Sequence, residues 1–156
     1  MSTASLTAAI IEEEARIERE LYEQIRETYL TRDAGPAEFA IWAQTCKHFH
    51  QRPSPLDRLW EDDYLVLLRG GDRSAVLDAV AFLEVDPWYH RSGYLKEKLI
   101  KALKRAPLQE GDRQRLRETL LRIVTGKNRR ELRQFCTLAG RVTDAGFEQR
   151  LTACAG

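Results

Sequence analysis

Three short stretches of the chain hold residue types that can do chemistry. In Thr45-Cys46-Lys47-His48-Phe49-His50, a thiol and two imidazoles offer the donors that zinc and copper take. On a helix Cys46 and His50, four apart, share a face, and His48 points elsewhere. A closed zinc site takes four ligands, and the other donors are the distant His90, Cys136 and Cys154 or the carboxylates of Asp62 and Asp63. Cys46 and His50 are thus a candidate metal pair, set against a packed Cys46 with histidines that the dipole favours near a helix C-terminus. The run Asp86-Pro87-Trp88-Tyr89-His90-Arg91-Ser92-Gly93-Tyr94 gathers three aromatics, an imidazole and a guanidinium. Trp, Tyr and Arg dominate binding hot spots, so Trp88, Tyr89, His90, Arg91 and Tyr94 are candidate contact residues. The alternative is an inter-helix turn that tucks Trp88 and Tyr94 into packing.

Two further residue combinations carry no chemistry of this kind. Ser92 with His90 lacks an orienting acid and oxyanion donors, so nothing identifies a nucleophilic site. Glu61, Asp62 and Asp63 are consecutive, splay around a helix axis, and suit the first turn of a helix through its dipole. No catalytic residue and no cofactor is expected.

The strongest compositional signal is charge. The formal net charge of +1 divides at His90 into 9 basic and 17 acidic side chains before the cut, and 16 basic and 7 acidic after it. The acidic part holds Glu12, Glu13, Glu14, Glu18, Glu20, Glu23 and Glu27; the basic part runs from Lys96 to Arg133. Segregated charge steers a partner, unless the first helix folds back on the basic half. Lys98, Lys101 and Arg105 share a helical face, as do Arg115, Glu118 and Arg122, while Arg129, Arg130 and Arg133 lie near a cap. Such arrays suit phosphates. Against nucleic acid stand the missing helix-turn-helix signature, the missing aromatic platform and the repulsive acidic half.

The elements that must position these residues are all helices. Ile10, Ile17, Leu21, Ile25 and Tyr29 form one stripe of a helix over about 4–31. Pro36 can open a second helix from its first turn, with Phe39, Ile41, Trp42, Cys46 and Phe49, which Pro53 and Pro55 end. Ser54-Pro55-Leu56-Asp57 is a start signal for a helix through Leu68, stopped at Gly70-Gly71. Asp72 caps a helix carrying Val76, Ala79, Val80 and Leu83, which Asp86-Pro87 closes. Later helices carry Leu95, Leu99, Ile100 and Leu103, then Leu116, Leu120, Ile123 and Val124 capped by Asp112. Asn128 with Glu131 opens the next, with Leu132, Phe135, Cys136 and Ala139, and a last short helix carries Phe147 and Leu151. No alternating β-branched run competes.

Composition agrees with one all-α domain over 1–156. At 43% hydrophobic and 31% charged, 156 residues can build a real core, and collagen-like, disulfide-dense and disordered classes are excluded. No stretch reaches the roughly 20 apolar residues that span a bilayer. Met1 to Ile11 has no basic n-region and runs into glutamates, and three widely spaced cysteines suit reduced thiols. The expected setting is the cytoplasm, away from membranes.

Helix starts at Gly35-Pro36, Gly71-Asp72 and Gly111-Asp112 lie 36 and 40 residues apart, and the last two share Gly-Asp-Arg. A period near 40 suggests stacked helix pairs, and this layout resembles the HEAT and armadillo class of helical repeats. The resemblance implies an α-solenoid of seven or eight helices: an acidic capping helix over 1–34, pairs at 35–69, 72–105 and 112–140, and a C-terminal cap over 141–156. Phe82-Leu83-Glu84, Asp86-Pro87-Trp88 and Arg91-Ser92-Gly93-Tyr94 are also similar to a segment of uncharacterised bacterial proteins. The function expected is non-enzymatic binding of another protein, as an adaptor, specificity subunit or immunity-type inhibitor. The binding set is Trp88, Tyr89, His90, Arg91, Tyr94, Lys98, Lys101 and Arg105. A nucleic-acid-binding repeat protein using the basic half is the alternative, a metal-dependent enzyme the second alternative, and self-association of acidic on basic ends a further possibility.

Overall fold

Several helix starts fall at residues whose side chains cap them. The computed structural model describes residues 4–127 and 129–155, and among these the only regular elements are helices, joined by turns and loops, with no strand. In order come α1 (Ala8–Thr31), α2 (Pro36–Gln51), a 3-10 turn (Asp57–Trp60), α3 (Asp62–Arg69), α4 (Arg73–Val85), α5 (Ser92–Leu103), α6 (Glu110–Val124), α7 (Leu132–Val142) and α8 (Ala145–Ala155). The Ile10 amide donates to Thr7 Oγ1 at 3.3 Å to open α1, and the Ala75 amide to Asp72 Oδ1 at 3.0 Å to open α4. Pro36 sits in the first turn of α2. Gly71 leaves α3 at φ 82°, where a Cβ would lie 2.3 Å from Pro107 Cγ. Glycine is therefore required there for both conformation and space.

Two starts differ from the sequence expectation. The Ser54 amide donates to Asp57 Oδ2 at 2.8 Å and the Leu56 amide to Ser54 Oγ at 3.1 Å, yet this cap opens only the 3-10 turn. The chain extends at Glu61 before α3 begins. Leu59 and Leu65 are both buried, but six residues are about 1.7 helical turns. One continuous helix would aim them in different directions, so the break lets both reach the core. Asp112 is likewise not the cap of α6: it sits in the first turn and accepts from the Gln109 amide at 2.9 Å. The two Gly-Asp-Arg matches therefore occupy different helical positions. They touch instead, with the Arg73 guanidinium forked onto Asp112 at 2.7 and 3.0 Å. The expected cap at Asn128 lies outside the described residues.

The core centres on α4, which packs against α1, α3, α5 and α6; α5 also meets α3 and α7, and α6 meets α7 and α8. Phe82, Leu83, Leu95, Leu99, Ile100, Leu103, Leu116 and Phe135 fill it without solvent contact or nearly so. Cys136, expected beside Phe135, is exposed. The N-terminal segment is tied down by buried Asp78, which accepts from the Leu6 amide and an Arg58 guanidinium N–H, each at 2.8 Å, and from the Tyr64 hydroxyl.

The first two helices depart from the expected pairing. α2 packs along α1, so 35–69 is not a packed pair, and no residue of α2 is buried. Burial in α1 is confined to Ile11, Glu14 and Ala15. Ile10, Ile17, Leu21 and Ile25 are half-buried, and Tyr29 is exposed. The distal part of α1 and α2 thus forms a helical hairpin projecting from the body. Among the described residues no helix is long and apolar enough to cross a membrane.

A cationic groove between α3 and α5

The site is built on α5. Leu95, Leu99, Ile100 and Leu103 bind one side of this helix to the core, which turns Tyr94, Lys98, Lys101 and Arg105 outward. Their spacing of four, three and four repeats one helical face over roughly 16 Å. Against it α3 sets Leu65 and Arg69, leaving a groove of about 530 Å³ lined by those two, Lys98, Lys101, Ala102, Lys104 and Arg105. Five cations thus surround a small apolar floor. None forms an ion pair among the described residues; Lys98 Nζ donates to the Trp60 carbonyl at 3.4 Å and Lys104 Nζ to Thr137 Oγ1 at 3.1 Å.

The aromatic connector joins the groove through Trp60. The Lys98 ammonium and the Arg91 guanidinium each lie 5.4 Å from the Trp60 ring. Trp88 is 63% exposed, and its carbonyl accepts from Arg19 at 2.7 Å. Tyr94 is half-exposed beneath Arg130, whose guanidinium carbon lies 4.0 Å from the ring centroid. Trp88, Arg91, Tyr94, Lys98, Lys101 and Arg105 therefore follow one surface strip.

Tyr89 and His90, expected beside them, have other neighbours. Tyr89 turns inward and meets Phe82 edge-on, at 6.4 Å and 89°. Burial pushes its phenol well above the ordinary range, and the charges of Glu18, Asp57 and Glu14 push it further. His90 stacks on Tyr22 of the hairpin, with centroids 4.4 Å apart and planes 11° apart. Burial holds the imidazole below its usual pKa, and the charges of Arg91 and His50 act in the same direction. Tyr89 is thereby half-buried, whereas His90 stays exposed while it fastens the connector to the hairpin.

Much of the expected basic surface is also spent internally. Lys96 is fully buried, 2.9 Å from Asp86 and 3.6 Å from Glu131, and Arg129 reaches Asp86 at 2.5 Å. Arg115 forks onto Glu84 at 2.8 and 2.9 Å, Arg122 donates to the Glu84 carbonyl, and Arg150 holds Glu118 at 2.7 Å. Acids of the first half thus neutralise several bases of the second. Arg69 escaped sequence reasoning, and Lys104, counted within the basic run from Lys96 to Arg133, was left out of the binding set. Lys104 was detectable three residues after Lys101, but Arg69 lies in the acidic half and reaches the groove only through the packing of α3 on α5.

Cys46 is half-buried and His50 exposed. No group of three or more His, Cys, Asp or Glu side chains able to hold a metal occurs among the described residues. Glu61, Asp62 and Asp63 are exposed at the start of α3. The groove holds fixed positive charge beside apolar surface, with Cys, Ser, Thr and His absent from its lining. A lining of this kind is electrostatically complementary to an anionic group. No family model matches the chain, and no curated protein or solved structure matches it either.

Proposed function

We propose that this chain is a non-enzymatic protein-binding module that seats an acidic protein segment in the groove between α3 and α5. The observation that carries this reading is the convergence of Arg69, Lys98, Lys101, Lys104 and Arg105 on one groove with no carboxylate in its lining. Like charges at close quarters repel each other and gain most from a complementary ligand. The leucine and alanine of the floor suit a peptide's apolar side chains. A HEAT-like α-solenoid is supported by two successions of neighbours, α4–α6–α8 and α3–α5–α7. An adaptor, a specificity subunit and an immunity-type inhibitor are the roles such a module fills.

In this mechanism the groove accelerates encounter, while Trp88 and Arg91 slow dissociation. The test measures binding of a synthetic Glu-rich helical peptide and of duplex DNA to the full chain at several salt concentrations. Expected are peptide binding whose association rate falls steeply with salt, its loss in K98E/K101E/R105E, and faster dissociation in Trp88→Ala. Binding of DNA with no binding of the peptide would overturn the reading, as would peptide binding that survives the triple reversal.

A further inference from the structure

We infer that the acidic segment seated in the groove is the outer face of α1 from a second copy of this chain. The inference rests on the groove being a docking site for an acidic protein segment. Glu20, Glu23 and Glu27 are all exposed, and their spacing of three and four residues is that of Lys98, Lys101 and Arg105. Two parallel helices with this pattern place three carboxylates opposite three cations over about 10 Å. The three glutamates lie away from the stripe Leu21, Tyr22 and Ile25 that α1 turns toward α2, so the hairpin presents them outward.

Their present partners are readily exchanged. Glu20 meets Arg16 at 2.5 Å and Glu23 meets Arg26 at 3.6 Å, both in exposed pairs within the helix. Such surface pairs contribute little. Within one chain α1 is fixed elsewhere, packed on α4 and α2 and clamped by the Arg19–Trp88 and Tyr22–His90 contacts. Past Tyr22 its described ring contacts and ion pairs stay within the hairpin. The hairpin therefore carries its carboxylates outward to a neighbour. Since arm and groove are different surfaces, each contact leaves one of each unused, and copies add head to tail or close into a ring.

The experiment is sedimentation velocity on the full chain across concentration and salt, with circular dichroism to check that each variant is folded. Expected are assemblies larger than a dimer at low salt that grow with concentration. In about 1 M salt the Debye length falls to roughly 3 Å, and the monomer should return. E20K/E23K/E27K and K98E/K101E/R105E should each be monomeric alone and associate when mixed. A monomer at every salt concentration overturns the inference, as does a dimer indifferent to salt and to both reversals, which would be an apolar contact between hairpins. If the wild-type chain stays monomeric yet binds the Glu-rich peptide, this inference fails while the groove reading stands. If assembly appears but the groove reversal leaves it intact, the inference fails as well.

Discussion

α5 and α6 are both rich in positive charge, and they use it in opposite ways. On α6 the guanidinium of Arg115 grips Glu84, and that of Arg117 reaches the Val142 carbonyl at 2.6 Å, Glu110 at 2.7 Å and Asp144 at 3.2 Å. On the outer face of α5, Lys98 and Lys101 meet no carboxylate among the described residues, and Arg105 beyond its end does not either. Arginine's planar fork matches carboxylates and carbonyls and is suited to holding elements together; lysine's hydrated ammonium stays easily in solvent. Counting positive residues therefore measures two different things, internal fastening on one helix and unneutralised surface on its neighbour. The buried ammonium of Lys96 is the exception on α5, and it faces the core side.

That contrast can be broken most severely at Lys96. Lys96→Met leaves Glu131 without its cation and Asp86 with only Arg129, so urea unfolding should show a loss of about 3–5 kcal/mol, the usual result of breaking a buried ion pair. Arg117→Ala should cost about 2–3 kcal/mol in the same measurement, because the buried Val142 carbonyl loses a charged donor. A smaller effect is expected from pH. The pKa of His90 is depressed in the folded chain, so the unfolded chain binds the proton more readily. The contribution of His90 to stability is complete above about pH 6.5, the unfolded value, and declines as pH falls toward the folded value. His90→Gln should flatten this part of the melting-temperature profile between pH 7 and 5. Least of all, Lys101→Glu should move stability by no more than about 0.5 kcal/mol, as for an ordinary surface position. A large loss there would show that the groove cations are structural too, and the contrast would vanish.

Much of the helical layout was legible because capping and breaking residues act locally. Asp72, Asp86-Pro87 and Gly70-Gly71 mark real ends, and the stripe of Leu95, Leu99 and Leu103 does face the core. The failures came where the deciding contact is distant in sequence. Nothing near Ser54 says that Leu59 and Leu65 must both reach the core, and nothing near Gly111 says that Asp112 will hold Arg73. The candidate site divides in the same way. Lys98, Lys101 and Arg105 were readable from helical spacing alone, whereas Arg69 joins them only after folding, Tyr89 and His90 pack on rings of α4 and α1, and Lys96 is paired with Asp86 and Glu131 at the ends of α4 and α7.

The exposed indole of Trp88 gives the molecule a built-in optical gauge. Its two companions, Trp42 and Trp60, are half-buried, so a small collisional quencher in solution reaches Trp88 first. Any ligand that lies along the strip from Arg91 to Arg105 and extends over the connector would shade this ring and slow the quenching. Occupancy can thus be followed by the protein's own emission, with no dye attached.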